Sequence, residues 1–248
     1  MNRKIFIFVI ASFGDPVYID LIRLRKLQFK KYNIPHYFLF DEEPPSTYKF
    51  DNNDIYIEKE KNSFKTDINP HMNPYMVQRF LKGLQLIDET SYDYIIRINI
   101  STYINFNQLT KEMDSFSKIQ FASAHLINQK LPDWNIYIDK ELILFSGTCI
   151  IFSSDTITYL KKIDIKSEIL SKHNDDTVLS HLLSAYINKY NIISVAFLEH
   201  NNSYTDADKN KSIIRIKNNI DRRYDILHWI YLLKDIDDLD IDFTPQSL

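Results

Sequence analysis

Apolar and polar residues follow one another along this chain in two rhythms, and the places where one rhythm gives way to the other mark the elements. Residues 4–11 (KIFIFVIA) form an almost unbroken β-rich apolar run, which predicts a first buried strand. From Pro16 to Tyr32 the spacing becomes helical, with Leu21, Leu24, Leu27 and Phe29 apolar. Arg23, Arg25, Lys26, Lys30 and Lys31 are read there as a mostly solvated basic face. His36–Phe40 is a second strand, and strand, helix and strand in succession suggest a parallel unit. A short strand over 55–57 follows, then a loop over 69–74 and a helix over 75–87 with Met76, Phe80, Leu84 and Ile87 at helical spacing.

That helix leads into residues 92–105 (YDYIIRINISTYIN), where an apolar run stops abruptly. Period two places Arg97, Asn99 and Ser101 on one face of the strand. Open α/β sheets bind ligands at the carboxyl ends of their strands, so this triplet is a candidate site; it reads equally as a plain exit into a loop. Beyond it the pattern predicts a helix over 107–116, a strand over 120–126 with His125, and a loop or hairpin edge over 131–140. A strand over 149–152 follows Phe145-Ser146-Gly147-Thr148, and Ser153 or Ser154 caps the next helix. Asp175 and Asp176 open an amphipathic helix with Val178, Leu179, Leu182 and Leu183 inward; ordinary N-terminal capping would account for one of the two aspartates. Strands over 192–198 and 213–216 precede a helix over 222–233, with Ile226, Leu227, Ile230 and Leu233 inward. The acidic stretch 235–242 is expected to be solvated.

Composition narrows the picture. With 248 residues the chain can bury one sizeable core, and a single α/β domain over 1–248 is expected. A net charge of −3 carries no basic footprint for nucleic acid. Only Gly14, Gly83 and Gly147 are glycines, which excludes a Gly-rich phosphate loop. Cys149 is the sole cysteine, so no intrachain disulfide or cysteine metal cluster forms, and it reads as a small core residue. No apolar run approaches the roughly 18 residues of a membrane span. The charged start followed by an apolar run is read as a core strand rather than a signal peptide, and a cytoplasmic protein is expected. Heavy use of Ile, Lys and Asn fits an AT-rich genome, viral or bacterial; for a virus the compartment would be the host cytoplasm.

Three motifs stand in order: Arg97-x-Asn99-x-Ser101, then Ser146-Gly147-Thr148, then Asp175-Asp176. This order resembles the GT-A nucleotide-sugar glycosyltransferases, in particular a branch found in large DNA viruses and some bacteria with Arg-x-Asn-x-Ser/Thr in place of Asp-x-Asp. The resemblance implies a GT-A-like (Rossmann-like) mixed, mostly parallel sheet flanked by helices. It implies a donor-nucleotide half over 1–105 and an acceptor and catalytic half over 106–248. A sugar would pass from a nucleotide-diphosphate donor such as a UDP-sugar to a hydroxyl of a glycan or protein-linked glycan, with inversion. Asp176 would be the general base, with Asp175 beside it. Ser12, Phe13, Arg79, Arg97, Asn99 and Ser101 would face the donor, and Ser146, Gly147 and Thr148 the acceptor.

The sequence departs from that pattern at Asn99 and Ser101, which are not carboxylates, whereas Mn²⁺ and Mg²⁺ favour charged oxygen ligands. A divalent cation is therefore expected to be held chiefly by the donor diphosphate, with His200 as a candidate protein ligand. Arg215 and Lys217, with Arg222 and Arg223 nearby, supply positive charge that would neutralise the diphosphate. Two other readings remain open. One is a catalytically silent module binding nucleotide sugar or glycan; the other, disfavoured by the missing Gly-rich loop, is a nucleotidyltransferase.

Overall fold

The apolar run near the start becomes β1 (Ile5–Ile10), in which all six residues are buried. A strand covered on both faces reads as a continuous apolar run rather than an alternation. Ile5, Ile7 and Val9 enter one core cluster, and Phe6, Phe8 and Ile10 the other. The computed structural model describes residues 3–58, 75–116, 120–123, 126–129, 142–164, 175–184, 186, 190–199 and 204–246.

α1 (Val17–Tyr32) connects β1 to β2 (His36–Phe40), which pairs with it in parallel. β3 (Asp54–Tyr56) extends the sheet, and α2 (Tyr75–Leu84) precedes β4 (Tyr94–Asn99). β5 (Thr102–Ile104), α3 (Phe106–Ser115) and β6 (Phe121–Ser123) follow, then the antiparallel pair of β7 (Leu126–Gln129) and β8 (Leu142–Phe145). β9 (Cys149–Ser153), α4 (Ser154–Leu160), α5 (Asp175–Ser184), β10 (Tyr190–Ile192), β11 (Val195–Glu199), β12 (Ile213–Lys217) and α6 (Arg223–Asp235) complete the chain. The main sheet runs β10-β6-β9-β4-β1-β2-β3, and every pair is parallel except the two that β9 makes. Ile10 stands opposite Asn99, so β1 and β4 end side by side. A second sheet, β11-β12-β5, sits beyond that edge. Among the described residues no helix is long and apolar enough to cross a membrane.

Several expectations need correction, each for a packing reason. Arg25 is not solvated: α6 lies across α1 and buries it completely, 4.3 Å from the Trp229 ring centre, and burial lowers its pKa to about 9. Lys26 is likewise engaged, with Tyr48, Asp51 and Asp54. The inner face of α6 is Ile226, Trp229, Leu232 and Leu233, with Leu227 half exposed, because the helix turns to bury its largest side chain. The acidic tail is not solvated throughout. Asp237 is buried and accepts from Gln28 Nε2 (2.9 Å) and the Tyr32 hydroxyl (2.8 Å), while Leu239, Ile241 and Phe243 pack on the core. The run over 192–198 splits: β10 joins the main sheet and β11 the second one. α2 ends at Leu84, short of Ile87, and buries Val77 and Leu81 with Phe80. Ser153 is the cap of α4, accepting from Thr156 N–H, and Cys149 is a core residue whose thiol burial pushes up to about 12. The loop expected over 69–74, His125 and the stretch 131–140 lie outside the described residues.

Candidate functional site

The carboxyl edge of the sheet is held by two polar clasps. Arg79, on α2, is buried and points Nη1 at Ala11 O (2.6 Å), Leu39 O (3.2 Å) and Asp41 Oδ1 (3.0 Å). It joins the ends of β1 and β2 to the acidic pair that follows β2. Burial lowers its pKa and the Asp41 charge opposes that shift. The second clasp is Glu42, whose Oε1 accepts from Ser12 Oγ (2.7 Å) and from Phe13 N–H. The Phe13 ring stacks on Phe40 at 4.7 Å beside Tyr48 and Phe50, so the loop after β1 is set by aromatic packing as well.

Across the same edge, Arg97 on β4 is completely buried. Its guanidinium donates to Gly147 O and to Asp175 Oδ2, so residues 50 and 78 positions away along the chain meet on one side chain. Asp176 lies against the same group. It accepts from Gly147 N–H and shares a hydrogen bond with Asp175. A Cβ on Gly147 would collide with Asp176 Oδ1 and stand 2.6 Å from Arg97 Nη1, so the glycine is required for close approach and not for its backbone angle. Desolvation, and then the Asp175 charge, push the Asp176 pKa up to about 7, against the pull of Arg97. Burial and a neighbouring charge raise the Asp176 pKa towards neutrality, and a carboxylate poised there can take a proton from a hydroxyl.

The polar triplet divides at the strand end. Asn99 is half-buried, and its Oδ1 has no hydrogen-bond partner among the described residues. Ser101 is buried, and its carbonyl accepts from Ile216 N–H of β12 (2.9 Å). Thr102, next along, donates its hydroxyl to Thr148 O (2.9 Å), and Arg215 Nη1 lies 3.5 Å from that hydroxyl. Ser146 Oγ donates to Thr148 Oγ1 (3.0 Å). Arg215 and the Ser146–Thr148 loop are thereby brought beside the triplet, and Lys217 stands two positions further along β12. Arg222 and Arg223 are spent nearer home, on Asp225 (2.5 Å) and Asp221 (2.6 Å). His200 lies outside the described residues.

Among the described residues, the triplet at the strand end does not fit a divalent cation. Asn99 and Ser101 offer neutral oxygens only, and the described residues contain no group of three or more His, Cys, Asp or Glu able to hold one. Sequence reasoning missed Asp41, Glu42 and Thr102. The first two follow a strand end directly, the same signal that singled out Asn99.

No family model matches the chain, and no curated protein matches it by sequence. Solved structures do match. A glycosyltransferase involved in the glycosylation of the major capsid of PBCV-1 is similar over 92% of this chain and 98% of its own, with 12% identity and a TM-score of 0.51. The galactosyltransferase LgtC, in complex with donor and acceptor sugar analogues, covers 98% of both chains at 11% identity and a TM-score of 0.55; an active-site mutant of LgtC gives 0.56. At such identities the likeness is one of fold. The α/β architecture, a mixed and mostly parallel seven-stranded sheet between helices, is that of GT-A glycosyltransferases.

Proposed function

We propose that this chain is a glycosyltransferase that moves a sugar from a nucleotide-diphosphate donor, such as a UDP-sugar, to a hydroxyl of a glycan or protein-linked glycan, with inversion. The observation that carries the reading is the Asp176 carboxylate, wedged against Gly147 beside Asp175 and Arg97 with its pKa raised towards neutrality. Residues 1–105 form the donor half, with Ser12, Phe13 and Asn99 towards the nucleotide sugar. Residues 106–248 form the acceptor half, with Ser146, Gly147 and Thr148 beside the incoming hydroxyl. Asp176 takes the acceptor proton as that oxygen bonds to the anomeric carbon, and the bond from that carbon to the diphosphate breaks. Arg97 acts as a positioning residue: it pins Asp175 and the Gly147 carbonyl, which fixes the place of Asp176.

A screen of nucleotide sugars by thermal shift identifies the donor, since selective binding stabilises the folded state by mass action. Asp176→Asn is then expected to leave donor binding nearly unchanged and to lower transfer about 10²-fold or more. Wild-type turnover in that variant rejects the mechanism. The neutral residues at 99 and 101 favour a second reading, a silent module that binds nucleotide sugar or glycan; donor binding with neither transfer nor hydrolysis would establish it.

A further inference from the structure

A helix that packs one face on a domain normally turns charged residues to solvent on the other. α6 departs from that rule. Ile226, Trp229, Leu232 and Leu233 are buried on its inner face, yet its outer face carries Tyr224, Leu227 and Tyr231, which are 52%, 50% and 50% exposed. Ile220, in the turn that leads into the helix, is 72% exposed, and Asn218 Oδ1 fixes that turn by accepting from the Ile220 and Asp221 N–H groups (2.8 and 2.9 Å). Four of the ten large apolar side chains exposed among the described residues thus fall within residues 220–231. Along the helix the row runs Tyr224, Leu227, Tyr231, Lys234; steps of three, four and three keep it on one stripe, the spacing of a seam between two helices.

The size and charge of this face decide what covers it. A whole aromatic side chain presents about 150–250 Å², so the four apolar side chains at these exposures present roughly 400 Å², half of what each partner of a stable complex buries. Tyr204, edge to face with Tyr231 at 5.4 Å, and the Arg223–Asp221 pair border the row and extend it. Residues 220–242 carry seven aspartates against Arg222, Arg223 and Lys234, so an anionic lipid surface is repelled. A second copy of the chain fits. Run antiparallel about a two-fold axis, two α6 helices lay Leu227 of each against Tyr231 of the other and bring Lys234 over Tyr224 at both ends of the seam, whereas a parallel pair would set Lys234 against Lys234.

We infer that α6 is the self-association face of this chain, an isologous antiparallel helix pair that joins two copies. This goes beyond the glycosyltransferase reading and does not rest on it. Sedimentation velocity of the full chain tests it. Between about 1 and 200 µM the mass is expected to rise from the 29.5 kDa monomer to twice that value, since a face of this size holds two copies in the micromolar range. Leu227→Glu, at an exposed helical position, is expected to raise the dissociation constant about 10-fold to 100-fold, with circular dichroism confirming the fold. Tyr224→Ala acts in the same direction and keeps the test decisive if Leu227→Glu does not fold. Lys234→Ala should weaken the antiparallel pair about 2-fold to 5-fold by removing the cation over Tyr224, and would tighten a parallel one by relieving repulsion. A monomer at every concentration overturns the inference, as does a dimer indifferent to Leu227→Glu and Tyr224→Ala, or one that Lys234→Ala tightens. A monomer that floats with vesicles of phosphatidylcholine and phosphatidylserine, and no longer does so as Leu227→Glu, overturns it in favour of a lipid surface.

Discussion

Arg79 and Arg97 are both almost inaccessible, both sit at the carboxyl edge of the main sheet, and both bind a main-chain carbonyl and a carboxylate. They differ in how closely two carboxylates are pressed together beside them: next to Arg97, Asp175 and Asp176 share a hydrogen bond. Arg79 meets Asp41 and two carbonyls through Nη1, the Glu42 and Asp175 charges also act on it, and its Nε has no hydrogen-bond partner among the described residues. Arg97 meets Asp175 with Asp176 behind it, one carboxylate more than a single cation can balance. Burial first, and then the Asp175 charge, raise the pKa of Asp176. The same kind of side chain thus makes a structural lock in one place and supports a proton-handling group in the other, where burial and the contact with Asp175 act on Asp176.

Removing one carboxylate at each arginine breaks the comparison most directly. Asp41→Ala strands Arg79 in the interior and is expected to cost about 3–5 kcal/mol of folding stability, whereas Asp175→Ala leaves Arg97 with Asp176 and should cost about 1–2 kcal/mol. Denaturant unfolding of the two variants measures both, and equal losses would mean that the second carboxylate is no surplus.

The pH dependence is the next largest effect. Because folding raises the Asp176 pKa from about 4 towards 7, the folded state binds a proton that the unfolded chain releases. The stability this group contributes is complete below about pH 4 and is lost as pH rises through about 7, the reverse of an ordinary ion-paired aspartate. Transfer runs the other way: it should rise as pH climbs through about 7 and then level off. Asp176→Asn should abolish the stability change, and a wild-type stability that rises across this window would contradict a shared proton. The smallest effect is expected at Glu42→Gln, about 1 kcal/mol of stability, since Ser12 and Phe13 keep a neutral acceptor.

Much of this arrangement was legible before the fold. β1, β2, β4 and β9 follow from β-rich, largely apolar runs, and Gly147, Asp175 and Asp176 were singled out by motif order. Their meeting on Arg97 was not legible, because nothing local records which residues 50 or 78 positions away will fill a contact. The burial of Arg25 and Asp237 was hidden for a related reason. A charged residue on a helix or in a tail signals solvent unless a later element covers it, and for Arg25 that element is α6, two hundred residues further on. The inner face of α6 was misjudged at Leu227, which fits helical spacing as well as Trp229 and Leu232 do, whereas Ile230 packs on the core as expected.

One feature of the main sheet bears on how such a protein can change over time. β9 alone runs against its neighbours, so the chain enters it from the site side, and the loop Ser146–Thr148 precedes the strand instead of ending it. Its register is fixed further in, where Ile150 lies opposite Arg97 and Ile151 opposite Ile96. Residues upstream of Gly147 do not set that register, but β8 among them packs against α5, the helix that carries Asp175 and Asp176. On the glycosyltransferase reading, a change at this entrance would reach the acceptor loop and the carboxylate pair together, through one short strand.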